Sequence, residues 1–217
     1  MKPRIEIYPL SRRHHRFLMV IGTVLLLVAI MIGWVINEQY RFPIMGLKLA
    51  AIVIIVVGFV KKFQPKASYI LTPDIFQCNH PWGHIKLSWN DILDINQVKI
   101  AQDNIQLPYV GLKLTDIDCL GEGITPRLAN KLLHEQKDLA AIAVKYKQLS
   151  LDKAVINFEP FKGKHLYRGP IAAFLHRSQH LQQAYGYHVY LPADSFDRDL
   201  MAFISLLKRC TAYRHDY

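Results

Sequence analysis

Cysteine is scarce in this chain. Its three cysteines, Cys78, Cys119 and Cys210, lie 41 and 91 positions apart and form no Cys-x-x-Cys pair. An odd and widely spaced set does not fit a disulfide framework, and it is typical of a protein kept in a reducing compartment. We therefore expect the cysteines to be free thiols in the cytoplasm.

Complete metal-binding motifs are also missing. Cys78, His80 and His84 surround one turn, but no second Cys/His pair stands at a spacing that would complete a zinc site. His176 and His180 lie four positions apart, but the residues between them, Arg-Ser-Gln, lack the Glu of the zinc-protease motif. The sequence predicts structural roles for these side chains, and it predicts neither a metal nor another cofactor.

The motifs of common nucleophilic enzymes do not occur either. Ser195 is accompanied by His188 and Asp197, the residue types of a catalytic triad, but no Gly-x-Ser-x-Gly elbow surrounds the serine. The glycines at 121 and 123 are not followed by the Lys-Ser/Thr pair of a phosphate-binding loop. A non-catalytic role is the main prediction. A membrane-tethered enzyme that acts on a lipid or envelope precursor is the alternative.

Charge is absent from a long run near the N-terminus. Residues 17–36 (FLMVIGTVLLLVAIMIGWVI) are 20 residues without a charged side chain. As a helix this run reaches roughly 30 Å, the thickness of a bilayer core. A cleavable signal peptide has a shorter apolar region of about 7–15 residues and a small-residue cleavage site, and neither fits here. The run is predicted to be a membrane-spanning helix.

A second apolar run follows closely. Residues 44–60 hold one charge, Lys48, whose ammonium group lies near the end of the run and can reach the interface. With the polar link 37–43, the two runs predict a transmembrane hairpin over residues 17–60, although a re-entrant or interfacial helix is the alternative for the second run. Positive charge flanks the hairpin on one side, which predicts an inner-membrane protein with both termini in the cytoplasm. The flanking basic residues are Arg12, Arg13, Arg16, Lys61, Lys62 and Lys66.

Positive charge is distributed unevenly along the chain. The net charge is +10, and residues 1–66 hold ten basic and two acidic side chains. Residues 67–217 hold seventeen basic and fifteen acidic side chains, so this part is nearly neutral. Because most of the excess lies beside the apolar runs, it indicates membrane topology rather than a surface that binds nucleic acid. The predicted divisions are a basic cytoplasmic lead (1–16), the hairpin (17–60) and a cytoplasmic domain (67–217).

The cytoplasmic domain has the pattern of an α+β fold. Five short apolar runs, joined by connections too short for crossover helices, predict an antiparallel sheet. They lie at 67–72, 75–79, 84–89, 91–100 and 109–114. Two further strands are predicted at 153–158 and 187–191.

Helical signals follow the first five strands and predict about three helices. Thr125 is a suitable cap and Pro126 suits a first helical position. The segment 126–148 that they begin is either one helix or two. Residues 170–184 predict another helix, and the apolar period that starts at Phe196 predicts the last.

Several short segments resemble known families. The run Tyr-Ile-Leu-Thr-Pro-Asp (69–74), a tryptophan-containing turn and the strand end Ser-Trp-Asn-Asp-Ile (88–92) resemble bacterial pleckstrin-homology-like (PH-like) membrane proteins. The segments Tyr-Pro-Leu-Ser-Arg-Arg (8–13) and Gly-Tyr-His-Val-Tyr (186–190) resemble an uncharacterised family of gammaproteobacterial inner-membrane proteins. The first resemblance covers about 67–115 and implies a PH-like sheet. The second spans most of the chain and implies no particular activity.

One stretch of the cytoplasmic domain is more basic than the rest. Residues 145–177 hold seven basic and two acidic side chains, interleaved with Phe158, Phe161 and Tyr167. Cations and aromatic rings on an anchored domain are typical of a surface that contacts anionic lipid headgroups. The predicted headgroup ligands are Lys162, Lys164, Arg168 and Arg177. A protein partner is the second candidate for this binding domain, and a solvated basic face with the aromatic rings in the core is the alternative without a ligand.

Overall fold

The structure, a computed structural model, describes residues 4–9, 15–35, 41–62, 67–100 and 104–215. The chain forms two compact units. The helical unit comprises residues 9–66, and the α+β unit comprises residues 1–8 together with residues 67–217.

Two long helices make up the helical unit, α1 (His15–Val35) and α2 (Arg41–Lys62). Each contains an apolar window, Phe17–Trp34 in α1 and Phe42–Val60 in α2, of which only 11% is buried. By length and composition both helices can cross a membrane. These features support membrane association of this part of the chain.

The two helices approach each other closely at one glycine. A Cβ atom on Gly22 would lie 2.7 Å from Ile55 Cγ1 and 3.2 Å from the Ala51 carbonyl oxygen, so a larger residue does not fit there. Ala29 and Ala51 are completely buried. Small residues at such a contact let two helix backbones pack closely in lipid, where no hydrophobic effect drives helices together.

Among the described residues, the α+β unit contains antiparallel sheets only. One sheet joins β1 (Ile5–Ile7), β2 (Tyr69–Leu71), β3 (Ile75–His80) and β4 (Gly83–Ser88) in that order. The strands β5 (Ile92–Ile100) and β6 (Ile105–Leu114) form a second sheet, β7 (Phe161–Lys162) and β8 (Leu166–Tyr167) form a small hairpin, and β9 (Val189–Pro192) pairs with β6. The five strands predicted between residues 67 and 114 are all present, so the antiparallel part of the fold prediction is confirmed.

Strand β1 comes from residues that the sequence assigns to the basic lead. Ile5 pairs with Leu71 and Ile7 with Tyr69, and Ser68 N donates a 2.8 Å hydrogen bond to the Ile7 carbonyl oxygen. Ile7 is completely buried. The chain therefore leaves this sheet after β1 and returns to it at β2. A three-residue strand is too short to give a recognisable alternation, which is why the sequence does not reveal it.

The α+β unit also contains helices α3 (Asp118–Gly123), α4 (Pro126–Glu135), α5 (Lys137–Lys145), α6 (Leu151–Ala154), α7 (Gly169–Tyr185) and α8 (Leu200–His215). Thr125 caps α4 as predicted, since its hydroxyl oxygen accepts a 3.3 Å hydrogen bond from Leu128 N. The segment after this cap forms two helices, with Gln136 between them. The mixed α+β prediction is confirmed, with more helices than predicted because α3 and α6 are too short to show a helical period.

The strand predicted at 153–158 is wrong. The segment contains the end of α6 and then an irregular run in which Val155 is 62% exposed and Phe158 is 56% exposed. Its alternation of residue types is present, but no strand pairs with it in the part of the chain that the structure describes. A period-two pattern needs a partner strand to become a sheet.

Helix α8 closes the core of the α+β unit. The Phe203 ring stacks on Phe196 with 4.2 Å between centroids, and it lies 5.4 Å from the Tyr69 ring of β2. All three side chains are buried. The apolar spacing predicts the buried face of α8 correctly at Phe203, Ile204 and Leu207, but the predicted start is wrong, because Phe196 precedes the helix, which begins at Leu200. The PH-like interpretation of the sheets stays a prediction.

Candidate functional site

The predicted lipid-binding stretch folds around the β7–β8 hairpin, residues 161–167, which we call the basic hairpin. Phe161 pairs with Tyr167, and Lys162 pairs with Leu166. Because side chains alternate between the two faces of a strand, each pair occupies one face of the hairpin. Phe161 is buried, whereas Lys162 is exposed and Leu166 is 52% exposed. The outer face therefore presents a cation beside an apolar side chain.

The inner face attaches the basic hairpin to two helices. The Phe161 ring meets the His176 ring of α7 edge-on, with 5.0 Å between centroids. Tyr167 packs on Gly121 of α3, where a Cβ atom would lie 2.6 Å from Tyr167 Cε1. Desolvation and the neighbouring Asp118 raise the pKa of Tyr167 to about 12. The Tyr167 hydroxyl group therefore stays protonated. The packing of Phe161 and Tyr167 fixes the inner face of the hairpin against α7 and α3.

The tip of the basic hairpin is held by two acidic residues. Lys164 N donates a 3.0 Å hydrogen bond to Asp118 Oδ2, and Lys164 Nζ forms a 2.6 Å ion pair with Asp116 Oδ2. The Lys164 side chain and the Asp118 backbone amide hold the pKa of Asp116 below its usual value. A Cβ atom on Gly163 would collide with Asp118 Oδ1. Lys164 is therefore neutralised within the protein, and the turn requires glycine at 163.

Two predicted ligands carry charge that no described acidic residue neutralises. Lys162 and Arg168 are exposed, and neither forms an ion pair within the described part of the chain. Phe158 and Leu166 are both more than half exposed in the same stretch. We call these four residues, Phe158, Lys162, Leu166 and Arg168, the hairpin surface. It combines positive charge with apolar side chains.

Arg177, the fourth predicted ligand, lies elsewhere. It is only 3% exposed on α7, and burial lowers the pKa of its guanidinium group. Nη2 donates a 2.6 Å hydrogen bond to the Ala154 carbonyl oxygen, whereas Nη1 is buried and has no hydrogen-bond partner in the described part of the chain. Arg177 therefore does not belong to the hairpin surface. It forms part of the wall of a cavity of about 330 Å³.

Sequence reasoning missed this cavity. One wall is the face of α5 formed by Lys137, Ala140, Ala141 and Val144, whose i, i+3, i+4, i+7 spacing is visible in the sequence. The same spacing is typical of any helix face that packs on a core. No pattern in the neighbouring sequence indicates that Arg177 of α7 lies beside this face of α5.

The side chains of the predicted membrane-flanking residues lie outside the described part of the structure. Arg12, Arg13 and Lys66 lie outside the described residues. Arg16, Lys61 and Lys62 belong to the helical backbone of α1 and α2, and their side chains are likewise outside the description. Their role in topology stays a prediction.

The described residues contain no group of three or more His, Cys, Asp or Glu side chains that could hold a metal ion. In the β3–β4 register Asn79, not Cys78, lies opposite His84, so Cys78 and His84 occupy different faces. His80 Nε2 lies 3.4 Å from Glu135 Oε1. Burial raises the pKa of Cys78 to about 12. Cys78 therefore remains a protonated thiol, which is a poor metal ligand.

The two histidines of α7, His176 and His180, each contact a backbone carbonyl group. His176 Nε2 lies 3.2 Å from the Glu159 carbonyl oxygen, and His180 Nδ1 lies 3.0 Å from the Lys153 carbonyl oxygen. The first contact holds the irregular segment after α6 against α7, and the second holds α6 itself against α7. The two side chains thus have a structural role.

The residue types of a catalytic triad are engaged separately. Ser195 Oγ lies 2.5 Å from the Tyr69 hydroxyl group and donates to the Pro192 carbonyl oxygen. His188 Nδ1 accepts a 3.1 Å hydrogen bond from Leu114 N. Desolvation lowers the pKa of His188. Serine and histidine therefore hold the β9 region in place, each with its own partners.

Comparison with known proteins identifies a family. A family described as protein of unknown function (DUF2982) matches residues 69–213, from the first residue of β2 into α8. Neither the curated proteins nor the solved structures gave a match. The match agrees with the predicted membership of an uncharacterised family, whereas the gammaproteobacterial origin and the PH-like similarity stay predictions. The chain belongs to the DUF2982 family.

Proposed function

We propose that this protein is a non-catalytic, membrane-anchored binding protein of the inner membrane, and that its cytoplasmic α+β unit contacts anionic lipid headgroups through the hairpin surface. The observation that carries the proposal is the cross-strand pair of Lys162 and Leu166 on the exposed face of a fixed hairpin. Lipid headgroups are anionic, and acyl chains lie directly beneath them. A cation beside an apolar side chain matches that boundary.

The position of β1 supports the proposed topology. Ile7 and Tyr69 pair in one sheet, and the helical unit lies between them in the chain. A segment that leaves a sheet and returns to the same sheet must cross a membrane an even number of times. Two spanning helices satisfy this condition, and the excess of basic residues around them favours a cytoplasmic position for the sheet.

The expected contact is weak by itself. Lys162 and Arg168 together contribute roughly 2 kcal/mol near an anionic leaflet, at about 1 kcal/mol for each cation. Leu166 and Phe158 add apolar burial, worth about 1.5–3 kcal/mol for each side chain that becomes fully buried. Anchoring raises the effective concentration of the domain at the surface to about the millimolar range, so a weak contact is sufficient.

The test uses the full chain in nanodiscs, with an environment-sensitive fluorophore on a single cysteine introduced by Leu166→Cys. The native cysteines Cys78, Cys119 and Cys210 are replaced by alanine. We expect a blue shift of emission in nanodiscs that contain phosphatidylglycerol and none in phosphatidylcholine alone. The shift should decrease with salt, since the Debye length falls from about 10 Å at 0.1 M to about 3 Å at 1 M.

Charge reversal provides the matched comparison. The double variant Lys162→Glu, Arg168→Glu should lose the shift, while Lys86→Glu, Lys113→Glu changes the net charge equally at exposed positions on other strands and should retain it. Lys164 is left unchanged because its reversal would also break the ion pair with Asp116. Equal emission in both lipids, or equal loss in both double variants, would refute lipid contact and favour a protein partner.

A further inference from the structure

The cavity beside Arg177 has walls of two kinds. Its aliphatic part comprises Ala140, Ala141 and Val144 of α5 together with Leu151 and Ala154 of α6. Two cations, Lys137 and Arg177, complete the wall, and none of the lining residues is acidic. The volume, about 330 Å³, is at the lower end of the range for small-molecule pockets. The cavity is open to solvent, and its lining suits a small ligand that is apolar over most of its surface.

No acidic residue in the described part of the chain pairs with Arg177. Its exposed fraction is 3%, and its one hydrogen-bond acceptor is the neutral Ala154 carbonyl group. Nη1 has no hydrogen-bond partner among the described residues. Buried arginines are normally paired with a carboxylate, often through two parallel hydrogen bonds. Arg177 therefore brings a positive charge that no described acidic residue offsets to the wall of the cavity, where a negatively charged ligand would offset it.

We propose that the cavity between α5, α6 and α7 binds an amphipathic anion, in which a carboxylate or phosphate group meets Arg177 and a short alkyl chain lies against α5 and Leu151. Charge complementarity selects an anion, because both ionisable groups in the wall are cations. The five aliphatic side chains select an apolar tail. Leu151 is 72% exposed at the start of α6, so it can move aside when the ligand enters.

This inference is separate from the proposed contact of the hairpin surface with a bilayer. The two sites have no residue in common, since Lys162 and Arg168 do not line the cavity. The variant Lys162→Glu, Arg168→Glu should therefore bind the amphipathic anion normally. An experiment that refutes lipid contact by the hairpin surface therefore leaves anion binding in the cavity untouched, and the reverse also holds.

The test is calorimetric titration of the full chain in phosphatidylcholine nanodiscs. The probes are octanoate, octyl phosphate, octanol and inorganic phosphate. We expect saturable binding of octanoate or octyl phosphate, and the tighter of these two identifies the head group as carboxylate or phosphate. Octanol tests the tail alone and should bind at least about tenfold more weakly, as the loss of one charge-assisted hydrogen bond predicts. Inorganic phosphate tests the charge alone and should also bind at least about tenfold more weakly, because it lacks the alkyl chain whose burial favours binding.

Two variants test the residues. Arg177→Met keeps an unbranched side chain, although a shorter one, and removes the charge, and it should weaken octanoate binding at least about tenfold. It should unfold at the same temperature as the wild type or higher, because an unpaired buried charge is removed. Ala141→Trp keeps Arg177 and fills the cavity from an exposed position on α5, and it should abolish binding.

Three results would overturn the inference. One is equal affinity for octanol and octanoate, which would describe an apolar groove without charge recognition. Another is unchanged octanoate binding in folded Arg177→Met. The third is unchanged binding in Ala141→Trp, which also decides the matter if the Arg177→Met protein does not fold.

Discussion

The two units of this protein use the same apolar residue types in opposite ways. In the helical unit Trp34 is 88% exposed, Phe42 is 90% exposed and Met45 is 72% exposed. In the α+β unit Phe174 and Phe203 are almost fully buried. A pair of helices can bury only the side chains at their mutual contact, so the side chains on the other faces stay exposed. Sheets and helices packed in layers bury their apolar faces against one another. The apolar surface of the helical unit therefore stays uncovered, which supports membrane association, whereas the core of the α+β unit is covered by its own chain.

The largest expected effect tests this difference directly. Phe203→Ala should lower the free energy of unfolding of the α+β unit by about 3–5 kcal/mol, because it removes a buried ring and leaves a cavity. Leu27→Ala changes a side chain that is 58% exposed on α1 and should leave that free energy unchanged. Urea unfolding of the full chain in detergent, followed by the fluorescence of buried Trp89 in a background of Trp34→Phe and Trp82→Phe, measures both. Equal effects would show that the two units do not differ as described.

A second comparison concerns β1, which precedes the helical unit in sequence but belongs to the α+β unit. Ile7→Ala should destabilise the α+β unit by about 2–4 kcal/mol, as is typical when a buried isoleucine is truncated. Ile5, on the same strand, is 40% exposed, and Ile5→Ala should cost much less. The same unfolding measurement distinguishes the two. If Ile7→Ala has no effect, β1 does not contribute to the sheet.

The smallest expected effect concerns the ion pair at the tip of the basic hairpin. The pKa of Asp116 is lowered by Lys164, so the pair stabilises the fold above the unfolded-state pKa of the carboxyl group, and this contribution is lost as pH falls through the folded-state value. Lys164→Gln should reduce that acid-dependent loss of stability. Lys162→Gln, two positions away without an ion pair in the described residues, should not change it. Unfolding measured from neutral pH to pH 2 compares them.

Local patterns in the sequence predicted the local structure well. The alternating run that contains Ile85, Leu87 and Trp89 forms a strand and its end, and the hydroxyl group of Thr125 begins α4 as expected. The long uncharged run at 17–36 coincides with most of α1. In each case the deciding interactions lie within a few residues of one another, so the pattern contains the necessary information.

Contacts between distant residues were not predictable in this way. Lys164, expected at a lipid surface, is paired with Asp116, and Arg177 faces a cavity beside α5. Composition alone placed Lys164 and Arg177 in the same basic stretch, residues 145–177. Alternation within β7 and β8 turns Lys162 outward, and the packing of α7 buries Arg177. The charge of a segment therefore does not tell which of its cations are available.

We propose that the helical unit crosses the membrane twice and returns the chain to the sheet that it left. Single cysteines introduced by Ile5→Cys, Glu38→Cys and Ser205→Cys in a chain without native cysteines can be labelled with a membrane-impermeant maleimide. In right-side-out vesicles we expect labelling at position 38 only, and in inverted vesicles at positions 5 and 205 only. Labelling of positions 5 and 205 from opposite sides, or of all three from the same side, would contradict the account.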